Sequence, residues 1–365
     1  MKLKAQNLRN KARRIYRKSL DILLLSFCAL FLLTHHLQAL ENTKLNAKAK
    51  LTIGYDDNVS DRVKDVIKSR FFQLYLNSSI ITIPAKRTLF SLKLQDGLKY
   101  NDAESLHESI LINNLNLNLS RSISRFVPEL SGEVRSRKSI LSKGETSSSE
   151  VSYLRGYTGL ALKTIIFSDL SGRLFYNYRV SNFDDFDPFD RRGHELGVKT
   201  DVRLLSNSLI ILQYSHEMMN FNKWDKGKTS RNDTTDIVTA GIETYDDLLL
   251  NVNLSYEDNR SSVDNYSYSG FTLSAMLAKS LPYNVLIEIY GLFRMRNSNI
   301  SSAESVSEQM AIEDEEKGMI MAKVSKDLTE RCALEAQYDI RQSRSGKDFG
   351  TYTKNVFTLS IGYGF

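Results

Sequence analysis

The chain has 365 residues, 49 of them basic and 43 acidic, for a formal net charge of +6. That length holds one large domain or two ordinary ones. The charge is unevenly placed, because eight Lys or Arg lie between Lys2 and Lys18, and this placement excludes the nucleic-acid reading that a basic chain invites.

Those eight residues precede the apolar run ILLLSFCALFLL, Ile22 to Leu33, and the stretch THHLQA. A basic start, a short apolar core and an Ala-ended polar stretch have the pattern of a secretory signal peptide, and the run falls short of the about 20 apolar residues of a membrane-spanning helix. The expectation is a cleaved leader over 1–39 and a single domain over 40–365. The leader takes eight basic residues and Asp21 with it and leaves 41 basic against 42 acidic. Cys28 lies inside the leader's apolar core behind Phe27, too large for a lipoprotein cleavage site. Only Cys332 remains, so the exported chain has no internal disulfide and no cysteine-based metal site.

From residue 45 onward, apolar and polar side chains alternate. Leu45, Ala47, Ala49, Leu51, Ile53 and Tyr55 alternate with Asn46, Lys48, Lys50, Thr52 and Gly54. The same period recurs at Leu170–Val180, Leu196–Leu204, Leu248–Tyr256, Val285–Met295 and Cys332–Ile340. A period of two means strands whose two faces meet different surroundings. The pattern predicts sixteen strands, near 45–55, 70–83, 87–100, 107–119, 125–135, 150–162, 169–181, 193–204, 208–219, 234–244, 248–257, 266–279, 284–296, 317–325, 330–341 and 353–365. The strands at 70–83 and 150–162 alternate poorly.

The connections alternate as well. Short ones (PAK at Pro84, SNS near Ser206, YDD at Tyr245, LPY at Leu281, KDLT at Lys326) take turns with long polar ones such as DDNVSDRVKDVIK, DDFDPFDRR and NFNKWDKGKTSRND. Short turns at one end and long loops at the other are the plan of an up-and-down barrel in a Gram-negative outer membrane. Sixteen strands of about 9–11 residues within the bilayer use roughly 160 residues, which leaves no room for a second domain. The fold class expected is all-β, a transmembrane up-and-down antiparallel barrel of about sixteen strands.

The last strand, NVFTLSIGYGF, ends on Phe365 with Tyr363 on the same face. An alternating strand ending on Phe resembles the C-terminal signature of outer-membrane barrels. That resemblance implies that Phe365 and Tyr363 form an insertion signal read by the barrel assembly machinery. Near the start stands LTIGYDDNVSD, Leu51 to Asp61. A first strand ending in GYDDNV resembles the type 2 β-barrel porin family, which implies an association with exopolysaccharide export and with export proteins of the envelope. The long third loop of general trimeric porins has no counterpart in RKSILSKGETSSSE, so no trimer is expected.

Catalytic sets are poorly supported. His107, His194 and His216 are the histidines after the leader. In the pairs His194-Glu195 and His216-Glu217, adjacent residues fall on opposite faces, so neither pair acts together. The His–Ser spacing of phospholipase and lipid A deacylase barrels is absent, and Asp184-Asp185 lacks the His of an omptin-like site. The acidic loop DDFDPFDRRG has Phe189 where a third calcium ligand belongs. No enzyme activity, cofactor or metal is expected. Inward charge is the informative feature. By parity, Arg173, Arg179, Lys199, Arg203, Arg294, Arg296, Arg331 and Arg341 line the lumen, with Lys48, Lys50, Lys93 and Arg135. Glu195, Asp201, Glu288, Glu335 and Asp339 share that face. Ions of both signs require an interior that is wet or fully paired. The expected function is a channel passing a hydrophilic solute or polymer across a membrane of lipid and lipopolysaccharide. The alternative is an assembly barrel with a plugged lumen acting through protein partners.

Overall fold

Alternation at a period of two, repeated along the chain, becomes sixteen antiparallel strands. The computed structural model describes residues 42–60, 66–103, 106–141, 152–184, 190–221, 230–263, 266–298, 316–345 and 350–365. The expected leader lies outside the described residues. The strands are β1 (Thr43–Asp56), β2 (Ser69–Ala85), β3 (Thr88–Ala103), β4 (Leu106–Arg121), β5 (Phe126–Leu141), β6 (Tyr153–Phe167), β7 (Leu170–Phe183) and β8 (Arg191–Leu205). They continue as β9 (Ser208–Phe221), β10 (Arg231–Tyr245), β11 (Leu248–Ser261), β12 (Tyr268–Leu281), β13 (Val285–Ser298), β14 (Glu316–Asp327), β15 (Cys332–Ser345) and β16 (Gly350–Gly364). Each strand pairs with its sequence neighbours, and β1 pairs with β16, so the sheet is a closed barrel.

The strands run past the expected ends at the loop side. β5 continues from 135 to Leu141, which turns the first part of the expected RKSILSKGETSSSE loop into wall. The cause is physical. Beyond the apolar band both faces of a strand are wet, so hydrophobic alternation stops while backbone pairing goes on. β3 ends at Ala103 and β4 begins at Leu106 at that same end. There Val59, 1% exposed, packs with Ala103 of β3 and with Ile67. At the other end Tyr283 and Asn284 both take positive φ, the backbone of a tight hairpin turn.

The core is inverted. Leu51, Ile53, Leu160, Leu174, Phe293 and Phe357 all face outward and are each more than 40% exposed. Buried polar residues such as Thr52, Asn177, Ser215 and Asp339 lie on the inner face. Inward aromatics are accommodated by glycines across the rung. A Cβ on Gly54 would sit 2.2 Å from the Phe71 ring, and one on Gly197 would sit 2.3 Å from Phe175, so only glycine fits opposite these rings. At mid-height the outward face carries a polar row, Asp96, Asn113 and Ser136, on register across β3, β4 and β5. Asn113 Nδ2 donates to Ser136 Oγ at 3.2 Å.

The GYDDNV segment holds the seam between β1 and β16. Thr52 and Ser360 share a buried hydroxyl hydrogen bond of 2.8 Å. Asp56, 1% exposed, pairs with Lys354 at 3.0 Å and accepts from the Asn58 backbone N–H at 3.0 Å. The Asp57 carboxylate accepts from both the backbone N and Nδ2 of Asn355, each at 2.7 Å. At the opposite end the Phe365 N–H donates to the Ala47 carbonyl at 2.9 Å. Removing one partner of a buried ion pair strands the other, at a cost of about 3–5 kcal/mol. Asp56→Ala should therefore lower the barrel's urea transition by a corresponding amount, and replacing Asp56 and Lys354 together by Leu should recover much of the loss. An unchanged transition in Asp56→Ala would show that the pair does not hold the seam.

Candidate functional site

The inner wall is built by parity. Within each strand every second side chain points inward, and on this concave face long side chains reach past a neighbouring strand. Arg173 on β7 meets Glu129 on β5 at 2.9 Å, across β6. Arg179 Nη1 donates to Glu217 on β9 at 3.1 Å, across β8, and its Nη2 donates to Glu195 on β8 at 2.6 Å. Arg296 on β13 meets Glu257 on β11 at 3.5 Å. Contacts that skip a strand need side chains converging on the barrel axis, which the outward face does not provide.

A polar network covers the wall from β5 to β9. Ser131 and Tyr157 share a hydroxyl contact of 3.2 Å, and the Tyr157 hydroxyl donates to Asn177 Oδ1 at 2.9 Å. Asn177 Nδ2 in turn donates to Glu195 at 2.8 Å. Glu195 thus accepts from Asn177 and Arg179 together, and it is 6% exposed. This satisfaction is what makes a buried carboxylate tolerable.

The remaining sequence-derived positions take varied places. Glu335 is paired with both Lys48 and Lys50. Glu288 is paired with Lys323 on the adjoining strand. Lys199 pairs with Asp201 at 3.2 Å, and Arg341 with Asp339 at 3.5 Å. Arg294 Nε donates to Thr272 Oγ1 at 3.4 Å. Arg203 is exposed near the turn end of β8 and has no hydrogen bond or ion pair to a described side chain. Arg331 stands in the turn ahead of β15, exposed, rather than in the wall. Tyr363 and Phe365 stack edge to face at 5.1 Å on the outward side.

His194 and His216 face outward. His194 Nδ1 lies 2.7 Å from the Tyr176 hydroxyl, and His216 Nδ1 lies 2.8 Å from Asp236 Oδ1, which also accepts from the Tyr214 hydroxyl at 2.7 Å. Among the described residues no Ser, Thr or Cys is hydrogen-bonded to either ring, so neither of these histidines is paired with a nucleophile. Nor do three His, Cys, Asp or Glu side chains converge as a metal site requires. Asp185, within the acidic loop, lies outside the described residues.

Sequence parity missed a second feature near the loop end, where arginines stack on inward aromatics. Arg155 lies 4.4 Å from the Tyr153 ring centroid and 5.6 Å from that of Phe183. Arg231 lies 4.2 Å from Phe221 and 3.9 Å from Tyr266. Arg296 lies 4.1 Å from Tyr268. Tyr153, Phe183 and Phe221 form a small buried cluster there. Inward Tyr and Phe erase the apolar–polar contrast, so these strand ends carry no alternation signal. The detectable trace is Arg at strand starts two residues from an aromatic, as in Tyr153-Leu154-Arg155.

No protein-family model and no curated protein matches the chain. The resemblance to type 2 β-barrel porins therefore rests on Leu51–Asp61 and the strand pattern. Among solved structures, OprD from Pseudomonas aeruginosa is similar at 9% identity and a TM-score of 0.47, covering 89% of this chain and 94% of that one. CdiB from Acinetobacter baumannii is similar at 11% identity and 0.46, covering 87% of this chain. The chain spans 60% of the length of CdiB. A triple mutant of the Rh. blastica porin is similar at 12% identity and 0.41, covering 88% of this chain and 100% of that one.

Proposed function

We propose that the chain is an outer-membrane β-barrel of a Gram-negative bacterium that conducts small hydrophilic solutes, with a mild preference for anions. The observation that carries this reading is where the inner charges find their partners. Lys48 and Lys50 reach Glu335, Arg173 reaches Glu129, Arg179 reaches Glu195 and Glu217, and Arg296 reaches Glu257. Each of these pairs joins adjoining strands or strands one apart. The charges are held flat against the wall, and none of these pairs bridges the lumen. A sixteen-strand barrel is wide enough for an aqueous channel, and a charged wall of this kind needs water.

The outward face supports the membrane location. Its belt of Leu, Ile, Phe and Tyr would be costly in water and is suited to lipid, with lipopolysaccharide at the loop end. The same reading makes the barrel assembly machinery a partner in insertion, through the strand that ends in Tyr363 and Phe365. Passage of a polymer, with envelope export proteins as partners, is the narrower version. It draws on the GYDDNV resemblance, and the seam contacts of Asp56 and Asp57 give that motif a structural use independent of any cargo.

Reconstituted in a planar bilayer, the barrel should show stepwise conductance. Arg203 and Arg294 are inward cations without a described carboxylate partner, and fixed positive charge enriches counter-ions. Arg203→Gln with Arg294→Gln should shift the reversal potential in a salt gradient towards cations. The shift should shrink near 1 M salt, where the Debye length is about 3 Å. Folded, inserted barrel without conductance would overturn the conduit reading in favour of a plugged assembly barrel.

The location and register can be tested together. In a Cys332→Ser background, Arg173→Cys should react rapidly with a small, membrane-impermeant thiol reagent, and Leu174→Cys should be protected by lipid. Reversed reactivity would mean that the two faces are exchanged, as a one-residue slip would do.

A further inference from the structure

One rung of the inner wall has an unusual composition. Arg135 on β5, Arg155 on β6, Ser181 on β7, Arg191 on β8, Phe221 on β9 and Arg231 on β10 are register partners in succession. Arg135 and Arg155 stand directly opposite each other. Like charges directly opposite in an antiparallel pair destabilise it, and stability alone would favour an acid at one of the two places.

Two other cations nearby are compensated. Arg179 is held by Glu195 and Glu217, and Arg231 donates to Asp233 at 2.9 Å. The side chains of Arg135 and Arg155 make no hydrogen bond or ion pair among the described residues. Arg155 is instead fixed from behind by the rings of Tyr153 and Phe183, which leaves its N–H groups unused. Both residues line a cavity of about 280 Å³ that is shared with Arg179, Arg191, Gly193 and Glu133. Four guanidiniums face one carboxylate there.

We propose that this cavity is a binding site for a doubly charged oxyanion on a small hydrophilic solute, a phosphate monoester being the best match in charge and shape. Two opposed guanidinium forks present paired N–H donors, and a phosphoryl group offers several oxygens to accept them in two-point contacts. Its two negative charges offset the two uncompensated cations. The aromatic backing holds Arg155 in one orientation before the ligand arrives, which reduces the ordering cost of binding. The proposal rests on the conduit reading only in needing a lumen that water and solute can enter.

The test uses the full barrel in detergent micelles, at constant ionic strength, with chloride exchanged for inorganic phosphate or a hexose phosphate. The wild-type barrel should bind both saturably by phosphorus NMR, and its thermal transition should rise with ligand as mass action requires. Arg135→Gln with Arg155→Gln should weaken binding at least tenfold. Lys138→Gln, on the outward face of the same strand, should leave it unchanged. Arg135→Lys with Arg155→Lys keeps the charge and removes the forks, so it should also bind more weakly than wild type. Absence of saturable binding, or equal affinity in the Gln double variant, overturns the site. Full affinity in the Lys double variant overturns the two-point geometry, leaving a diffuse positive field. Phosphate binding by a barrel that does not conduct would keep the site and refute the conduit, whereas a conducting barrel indifferent to phosphate would do the reverse.

Discussion

A sheet with a lipid-facing surface cannot leave an edge. Each unpaired backbone N–H or C=O at an edge would meet hydrocarbon, where nothing replaces the lost hydrogen bond. Everything else in this barrel depends on β1 meeting β16. The seam is accordingly reinforced by side chains as well as by the ladder. Asp56 and Lys354 pair at one end, Asp57 clamps Asn355, and Thr52 meets Ser360 lower down. Asp56 and Asp57 are adjacent yet serve separate partners because successive side chains diverge as the strand gives way to the loop.

Closure also settles the division of chemistry. A closed wall has an outside and an inside, and the apolar residues take the outside, the reverse of a water-soluble barrel. Inside, many of the charges are held in pairs along the wall, as with Arg173 and Glu129 or Arg179 and its two carboxylates. They shape the electrostatic field within the barrel more than they add to its stability, since partly exposed pairs contribute little.

The wall was legible in the sequence where one face is greasy and the other wet. Leu248–Tyr256 and Cys332–Ile340 show that contrast plainly, and their parity assigns Glu335 and Asp339 to the inner face. Legibility failed where the contrast vanishes. At the loop end of β5, water reaches both faces, so Arg137 and Ser139 read as loop. In β6, inward Tyr153 and Tyr157 imitate the outward residues, and the arginine between them looks unremarkable. The opposition of Arg135 and Arg155 belongs to register between strands, which no single strand's pattern contains. Asp56 and Asp57 fall outside the expected strand 45–55, and their partners, Lys354 and Asn355, lie at the far end of the chain.

That distance sets a schedule. Thr52 and Ser360 are 308 positions apart, and Asp57 and Asn355 are 298 apart, while the pairing of each strand with its sequence neighbour is local. The additional chain entropy of closing so long a loop is modest, about 2–3 kcal/mol beyond that of a hairpin by logarithmic scaling. The obstacle is one of timing. β1 is made first, yet its final partner is made last, so its outer edge stays open until β16 is available. An open, alternating edge is a template for any other strand it meets. Pairing with β16 is what removes this edge, so a barrel lacking its last strand would keep it exposed.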